Sequence, residues 1–170
     1  MASQLVLERF FPYRISRLAE RASRSLSQVY AERFGISVPE WRVLATLAER
    51  PGLTASAVTG LTNLDKVKVS RAVAELHERG LLLRQASRSD RRATDLRLSA
   101  SGARLFARIA PLAAQWEAQL LDVLNDSERT QLFGLLTRLE NALPAAVSAL
   151  RGGDTAAPVK PAASSAAIAS

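Results

Sequence analysis

The sequence predicts a mainly α fold, and three observations carry that expectation. Apolar residues recur at three- and four-residue spacing over long stretches near both ends of the chain. Between them, two short segments each begin with a capping residue and are joined by the turn "TNL", the pattern of a helix-turn-helix. Directly after the second, short apolar stretches flank "SRSDRRATD", residues 87–95, which holds three arginines and two aspartates in nine positions. That arrangement reads as a β-hairpin with a charged tip. In chain order these make a winged helix-turn-helix with a two-stranded wing and a long helix on either side.

The first helix runs from about Pro12, a favourable first-turn proline, to Gly35. Ile15, Leu18, Ala19, Ala22, Leu26, Val29 and Tyr30 form its apolar stripe. In "SVPE", Ser37 can cap the next helix, with Pro39 in the first turn and Glu40 completing a capping box. Trp41, Leu44, Leu47 and Ala48 then face inward, and "RPG" ends the helix. "LTASAVTGL" is a short helix capped by Thr54, with Leu53 placed to staple Val58. Asp65 caps residues 66–79, with a staple available between Leu64 and Val69, and Gly80 closes that helix where a left-handed residue is wanted. Strands at 81–85 and 95–98 follow, Leu96 and Leu98 alternating with Asp95 and Arg97. Ser99 caps a helix reaching about Leu124, with Pro111 expected to kink it. Asn125 and Glu128 can box the last helix, whose inner stripe is Leu132, Leu135, Leu136, Leu139 and Leu143. Residues 151–170, rich in Ala, Pro and Ser, are expected to be disordered.

Composition narrows the function. The 170 residues include no Cys and a single His, so disulfides and thiolate sites are excluded and nucleophile–base triads or histidine metal clusters are poorly supplied. His77 falls late in its helix and reads as a surface residue. No pair of carboxylates belongs to a recognisable pocket motif, so neither an enzyme nor a cofactor or metal is expected. No apolar run approaches the roughly 18 residues of a membrane span, and the start lacks a signal-peptide core, which points to a cytoplasmic protein with no membrane partner. The net charge is +7. Residues 51–110 carry 11 basic and 5 acidic side chains, against 2 and 5 in residues 111–150. Positive charge concentrated mid-chain is an electrostatic footprint for phosphates.

On a helix over 66–79, Val69, Ala72, Val73 and Leu76 share the buried arc. The opposite face holds Val67, Arg71, Ala74 and Glu78, flanked by Lys68 and Ser70. Its N-terminal half is basic and small, which is the half a recognition helix presents to base edges of double-stranded DNA. Arg71 suits guanine edges, Val67 a thymine methyl, and Lys66 or Lys68 the phosphates. A hairpin following such a helix is a wing whose tip lies beside the flanking minor groove, where arginine is drawn to A·T-rich DNA. Arg88, Arg91 and Arg92 supply that charge, and Asp90 reads as a brace orienting one of them. Either Arg91 or Arg92 can be the inserted one.

The stretch "LTASAVTGLTNLDKVKVSRAVAELHERGLLLRQASRSDRRATDLRLSASG" resembles the winged helix-turn-helix of MarR-family (multiple antibiotic resistance regulator) transcription factors. The matching features are "DK…VSR", "ERGL", "DRR" and "LSASG", in that order, and flanking helices extend the resemblance to about residues 5–148. It implies an obligate homodimer, built from the terminal helices, that binds pseudo-palindromic DNA as a regulator, a repressor in the expected case. The two amphipathic end helices fit this independently, having more apolar stripe than one small core requires. The implied organisation is a helical dimerisation region, residues 5–35 and 100–150, around a DNA-binding domain, residues 36–99. "PYRIS", "YAERFGISVPEWRVLATL" and "DKVKVSRAV" are further similar to the branch responding to hydroxycinnamates, other aromatic acids or their coenzyme A thioesters. That likeness implies an effector cleft with Arg14 near Trp41 and Arg42, although Trp41 also suits the core and Arg14 the plain surface. The competing reading is a constitutive architectural DNA-binding protein without an effector.

Overall fold

The computed structural model describes residues 5–86 and 94–153. After a 3-10 turn at Leu7–Arg9, helix α1 occupies Phe11–Phe34 and stops at Gly35, whose N–H makes the last helical bond, to the Ala31 carbonyl at 2.9 Å, and whose left-handed φ of 61° turns the chain away. Helix α2, Val38–Glu49, opens with both halves of the expected capping box, Glu40 N–H donating to Ser37 Oγ and Ser37 N–H to Glu40 Oε2. Strand β1, Leu53–Thr54, leads into α3, Ala55–Thr62, where Thr54 Oγ1 accepts from Ala57 N–H. Asn63, at φ 52°, turns the chain toward α4, Lys66–Glu78. That helix ends as Gly80 N–H meets the His77 carbonyl and Leu81 N–H the Leu76 carbonyl, at 2.9 and 2.8 Å. Both orphan carbonyls are thereby satisfied. Strands β2, Leu82–Ala86, and β3, Thr94–Leu98, are followed by α5, Ala100–Leu121, with Pro111 inside it, and α6, Asp126–Gly153. The Asn125–Glu128 box forms as expected. Helix α6 continues to Gly153, three residues into the stretch expected to be a tail; the remainder of that stretch lies outside the described residues.

The sheet has three strands, in the order β1-β3-β2, where the sequence predicted two. Leu53 pairs with Leu96 and Thr54 with Asp95, while Leu82 pairs with Leu98 across the wing. Two residues are too short to show a period of two, so β1 left no pattern to read. The winged helix-turn-helix itself is as predicted.

The chain divides into two compact units, Met1–Leu120 and Leu121–Ser170. The first holds a core of Tyr30, Ile36, Val43, Leu44, Leu47, Val58, Val69, Val73, Leu76, Leu82, Leu96 and Ile109, all nearly inaccessible. The stripe of α1 splits: Tyr30 is 1% exposed, but Ile15 and Leu18 remain 39% and 61% exposed. Trp116 Nε1 donates to Ser25 Oγ at 3.1 Å, tying α5 to α1. The first turn of α5 presses against the end of α4. Ser99 Oγ accepts from Gly102 N–H and donates to the Gly80 carbonyl, and a Cβ on Gly102 would sit 2.1 Å from the Leu81 carbonyl oxygen. In the second unit, α6 leaves Phe133, Leu135, Leu139 and Leu143 exposed. No helix among the described residues is long and apolar enough to cross a membrane.

Candidate nucleic-acid interface and adjoining cleft

Helix α4 buries the predicted arc, Val69, Ala72, Val73 and Leu76 being 0–3% exposed. Lys66, Val67, Lys68, Ser70 and Arg71 all reach solvent. Val67 is 66% exposed, an apolar side chain offered outward where a methyl partner would suit it. The two flanks of the helix differ. On one, Lys66 and Ser70 join Ala55, Ser56 and Thr59 of α3 around a shallow depression of about 260 Å³. On the other, Lys68 borders a larger cleft against α1 and α2.

The start of α4 is organised by Asp65. One carboxylate oxygen accepts from Lys68 N–H at 2.8 Å and the other meets Lys68 Nζ at 3.0 Å. The backbone bond, with the ammonium behind it, holds the Asp65 carboxyl below its ordinary range. The positive end of the helix macrodipole is then left beside three cationic side chains, Lys66, Lys68 and Arg71. Toward the other end, Glu75 and Glu78 are exposed, so the anion-seeking character is confined to the first two turns. Arg88, Asp90, Arg91 and Arg92 of the wing tip lie outside the described residues.

The cleft has a volume of about 690 Å³ and is lined by Ser16, Ala19, Glu20, Ser23, Arg24 and Ser27 of α1, Val38, Pro39 and Arg42 of α2, and Asn63, Leu64 and Lys68. Arg42 crosses its floor, Nη2 donating to Ser23 Oγ at 2.9 Å and Nη1 to the Thr62 carbonyl at 3.2 Å. Two neutral acceptors hold the guanidinium in place and leave its charge uncompensated by them, an arrangement that attracts an anion. Arg24, also at the rim, is paired with Glu20 at 2.7 Å.

Of the three residues expected to hold an effector, only Arg42 lines this cleft. Trp41 packs instead between Tyr30 and Phe106, with ring centroids 5.4 and 5.7 Å away and near-parallel planes. This is the core placement that its aromatic character also allowed. Burial in that stack pushes the Tyr30 hydroxyl up to about 12, against the opposing pull of Arg42. Arg14 is not brought beside them. It lines a separate depression of about 240 Å³ with Glu8, Arg17, Leu18 and Arg21, because nine helical residues place it about 13 Å along α1 from Ser23. The α1 wall of the cleft was missed in the sequence. Ser16, Ala19, Ser23 and Ser27 recur at three- and four-residue spacing beside the apolar stripe, and that run of small side chains was the available signal.

The model of the MarR family matches residues 34–93, from the last residue of α1 to the residue before β3. The chain is similar to a putative transcriptional regulatory protein for the hcr operon of Thauera aromatica, 30% identical over 118 residues, 69% of this chain and 71% of that one. Among solved structures, a MarR/EmrR family transcriptional regulator from Acinetobacter sp. ADP1 superposes with a TM-score of 0.75 at 28% identity, covering 83% of this chain and 99% of the other. The PcaV transcriptional regulator from Streptomyces coelicolor, solved in complex with its natural ligand, gives 0.69 at 26% identity over 83% and 99%.

Proposed function

Since the chain belongs to the MarR family of transcriptional regulators, we propose that it is a cytoplasmic, ligand-responsive repressor that binds pseudo-palindromic double-stranded DNA as a homodimer. Its effector is a small aromatic carboxylate or the coenzyme A thioester of one. Lys66, Val67, Lys68, Ser70 and Arg71 meet the major groove, and the wing residues Arg88, Asp90, Arg91 and Arg92 serve the adjacent minor groove.

One observation supports this most directly: Lys68 belongs both to the exposed face of α4 and to the wall of the cleft. A ligand lodged against Arg42 therefore lies against the first turn of the recognition helix. The cleft is of the size that small molecules occupy, and its largely polar lining includes an aliphatic patch, Val38, Pro39 and Leu64, beside the fixed guanidinium of Arg42. The carboxylate, or the anionic part of a thioester, pairs with Arg42, and the ring lies on Val38, Pro39 and Leu64. Trp41 stays in its stack between Tyr30 and Phe106 rather than walling the ligand. Arg14 extends the cationic surface of α1. A ligand that favours one setting of α4 weakens DNA binding only to the extent that it prefers the free dimer, and a coupling of roughly 1–3 kcal/mol corresponds to 5–150-fold. PcaV, crystallised with its natural ligand, is a ligand-binding relative with the same fold.

The test is to select a duplex from a randomised pool with the purified protein, then titrate p-coumarate, ferulate and their coenzyme A esters against the complex. Release is expected with at least one, and Arg42→Ala should abolish release while the apo protein still binds. If none released the DNA, the reading would contract to a constitutive DNA-binding regulator.

A further inference from the structure

The base-facing side chains occupy the start of α4, but the densest polar network on that helix lies at its other end. Arg79, its C-terminal capping residue, reaches three groups 39 to 45 residues away in sequence. Nη1 donates to the Gly35 carbonyl at 2.9 Å and to Glu40 Oε1 at 3.0 Å, and Nη2 donates to the Phe34 carbonyl at 3.2 Å. Glu40 is only 4% exposed, and its second oxygen accepts from Ser37 N–H at 2.8 Å. The negative end of α1 and a buried carboxylate of α2 thus form an anionic corner, and a guanidinium from α4 fills it. The planar fork can serve two carbonyls and a carboxylate together, which a lysine ammonium on its single stem cannot reproduce.

We propose that Arg79 is a positioning residue for DNA recognition. It pins the far end of the recognition helix to the junction of α1 and α2, and so sets the angle at which Lys66, Val67 and Arg71 enter the groove without touching DNA itself. Thirteen residues of helix separate Lys66 from Arg79, about 20 Å, so a tilt of about 5° at the pinned end carries the other end nearly 2 Å sideways. Base readout depends on placement at that scale, whereas attraction to phosphates does not. The inference rests on the DNA-binding reading given above.

The experiment compares full-length wild type, Arg79→Ala, Arg79→Lys and Glu40→Gln on the duplex selected by the wild type and on a scrambled duplex, across a salt series. Each variant should lose about tenfold or more on the selected duplex, the equivalent of one good base contact. Binding to the scrambled duplex should stay within about twofold, with the slope of log affinity against log salt unchanged, because no phosphate contact is lost. Combining Glu40→Gln with Arg79→Lys should add nothing further. Circular dichroism and thermal melts establish that each variant is folded; should Arg79→Ala not fold, Arg79→Lys and Glu40→Gln decide. Equal losses on both duplexes, a salt slope lowered by about one, or undiminished specific binding would each overturn the proposal. A wild type that enriches no duplex would overturn the DNA-binding reading and this inference with it.

Discussion

Asp65 shows how one exposed side chain can organise the start of a helix that carries the proposed DNA contacts. Its carboxylate caps α4 and its pKa is lowered by the Lys68 backbone bond. A depressed folded pKa means that the cap contributes fully above the unfolded value of about 3.9 and is lost as pH falls through the folded one. The first turn of α4 should therefore loosen in acid, and Asp65→Asn, which can cap without titrating, should flatten that dependence; amide chemical shifts of Lys66 to Lys68 followed against pH would read it. The neighbouring side chains divide by what they would lose. Arg71→Ala should cost roughly 1–3 kcal/mol on the selected site and relax preference at one base position. Lys66→Ala should weaken all sequences alike and lower the salt slope by about one. A filter-binding series on matched and mismatched duplexes separates the two, and an Arg71→Ala protein with intact preference would contradict the placement of α4.

Elements were legible from sequence wherever their signals were local. The Ser37–Glu40 and Asn125–Glu128 boxes, the Thr54, Asp65 and Ser99 caps and the Gly35 and Gly80 ends all involve residues within a few positions of each other, and all form. Strand β1 was not legible, because its strand character comes from pairing with Leu96 and Asp95, more than forty residues on. A cleft at Arg42 is implied by the resemblance, but its lining on α1 is not legible, for a similar reason. Its α1 wall, small residues edged by the Glu20–Arg24 pair, looks like any solvated face until α2 and the Asn63 turn stand opposite. Arg14 was expected beside Arg42 by resemblance, and the rise of a single helix keeps them apart. Element junctions also carry the sharpest stability predictions. Gly102→Ala would drive a Cβ into the Leu81 carbonyl, a backbone atom that cannot rotate away, so a loss of about 1–3 kcal/mol and a lower melting temperature are expected. Trp41→Ala would empty the stack between Tyr30 and Phe106, at about 3 kcal/mol; denaturant midpoints would show whether the residue acts through the core, as its placement implies.

For the molecule as a whole, exposed apolar surface is the conspicuous quantity. Phe10, Phe11, Ile15 and Leu18 in the first unit, and Phe133, Leu135, Leu139 and Leu143 in the second, are each at least 39% exposed. Each unit thus exposes apolar side chains of the kind that partner surfaces use, and the proposed homodimer would cover them. Sedimentation at micromolar concentration should give a dimer, and Leu139→Arg should shift it toward monomer with a parallel loss of DNA affinity. A stable, well-folded wild-type monomer at that concentration would refute this part of the proposal. The largest basic excess lies in residues 51–110 and the acidic excess in residues 111–150, which fits the proposed separation of DNA contact from dimerisation.

The short strand β1 has a kinetic consequence. Thr54 is at once its last residue and the cap of α3, and the preceding Gly52 N–H is bonded to the Leu96 carbonyl at 2.9 Å. The root of the wing and the first helix of the helix-turn-helix therefore cannot open independently, since peeling β3 from β1 disturbs the residue that caps α3. In hydrogen–deuterium exchange, the amides of Gly52 and of Ala57, which donates to Thr54 Oγ1, should behave as one cooperative unit and lose protection together as denaturant is added.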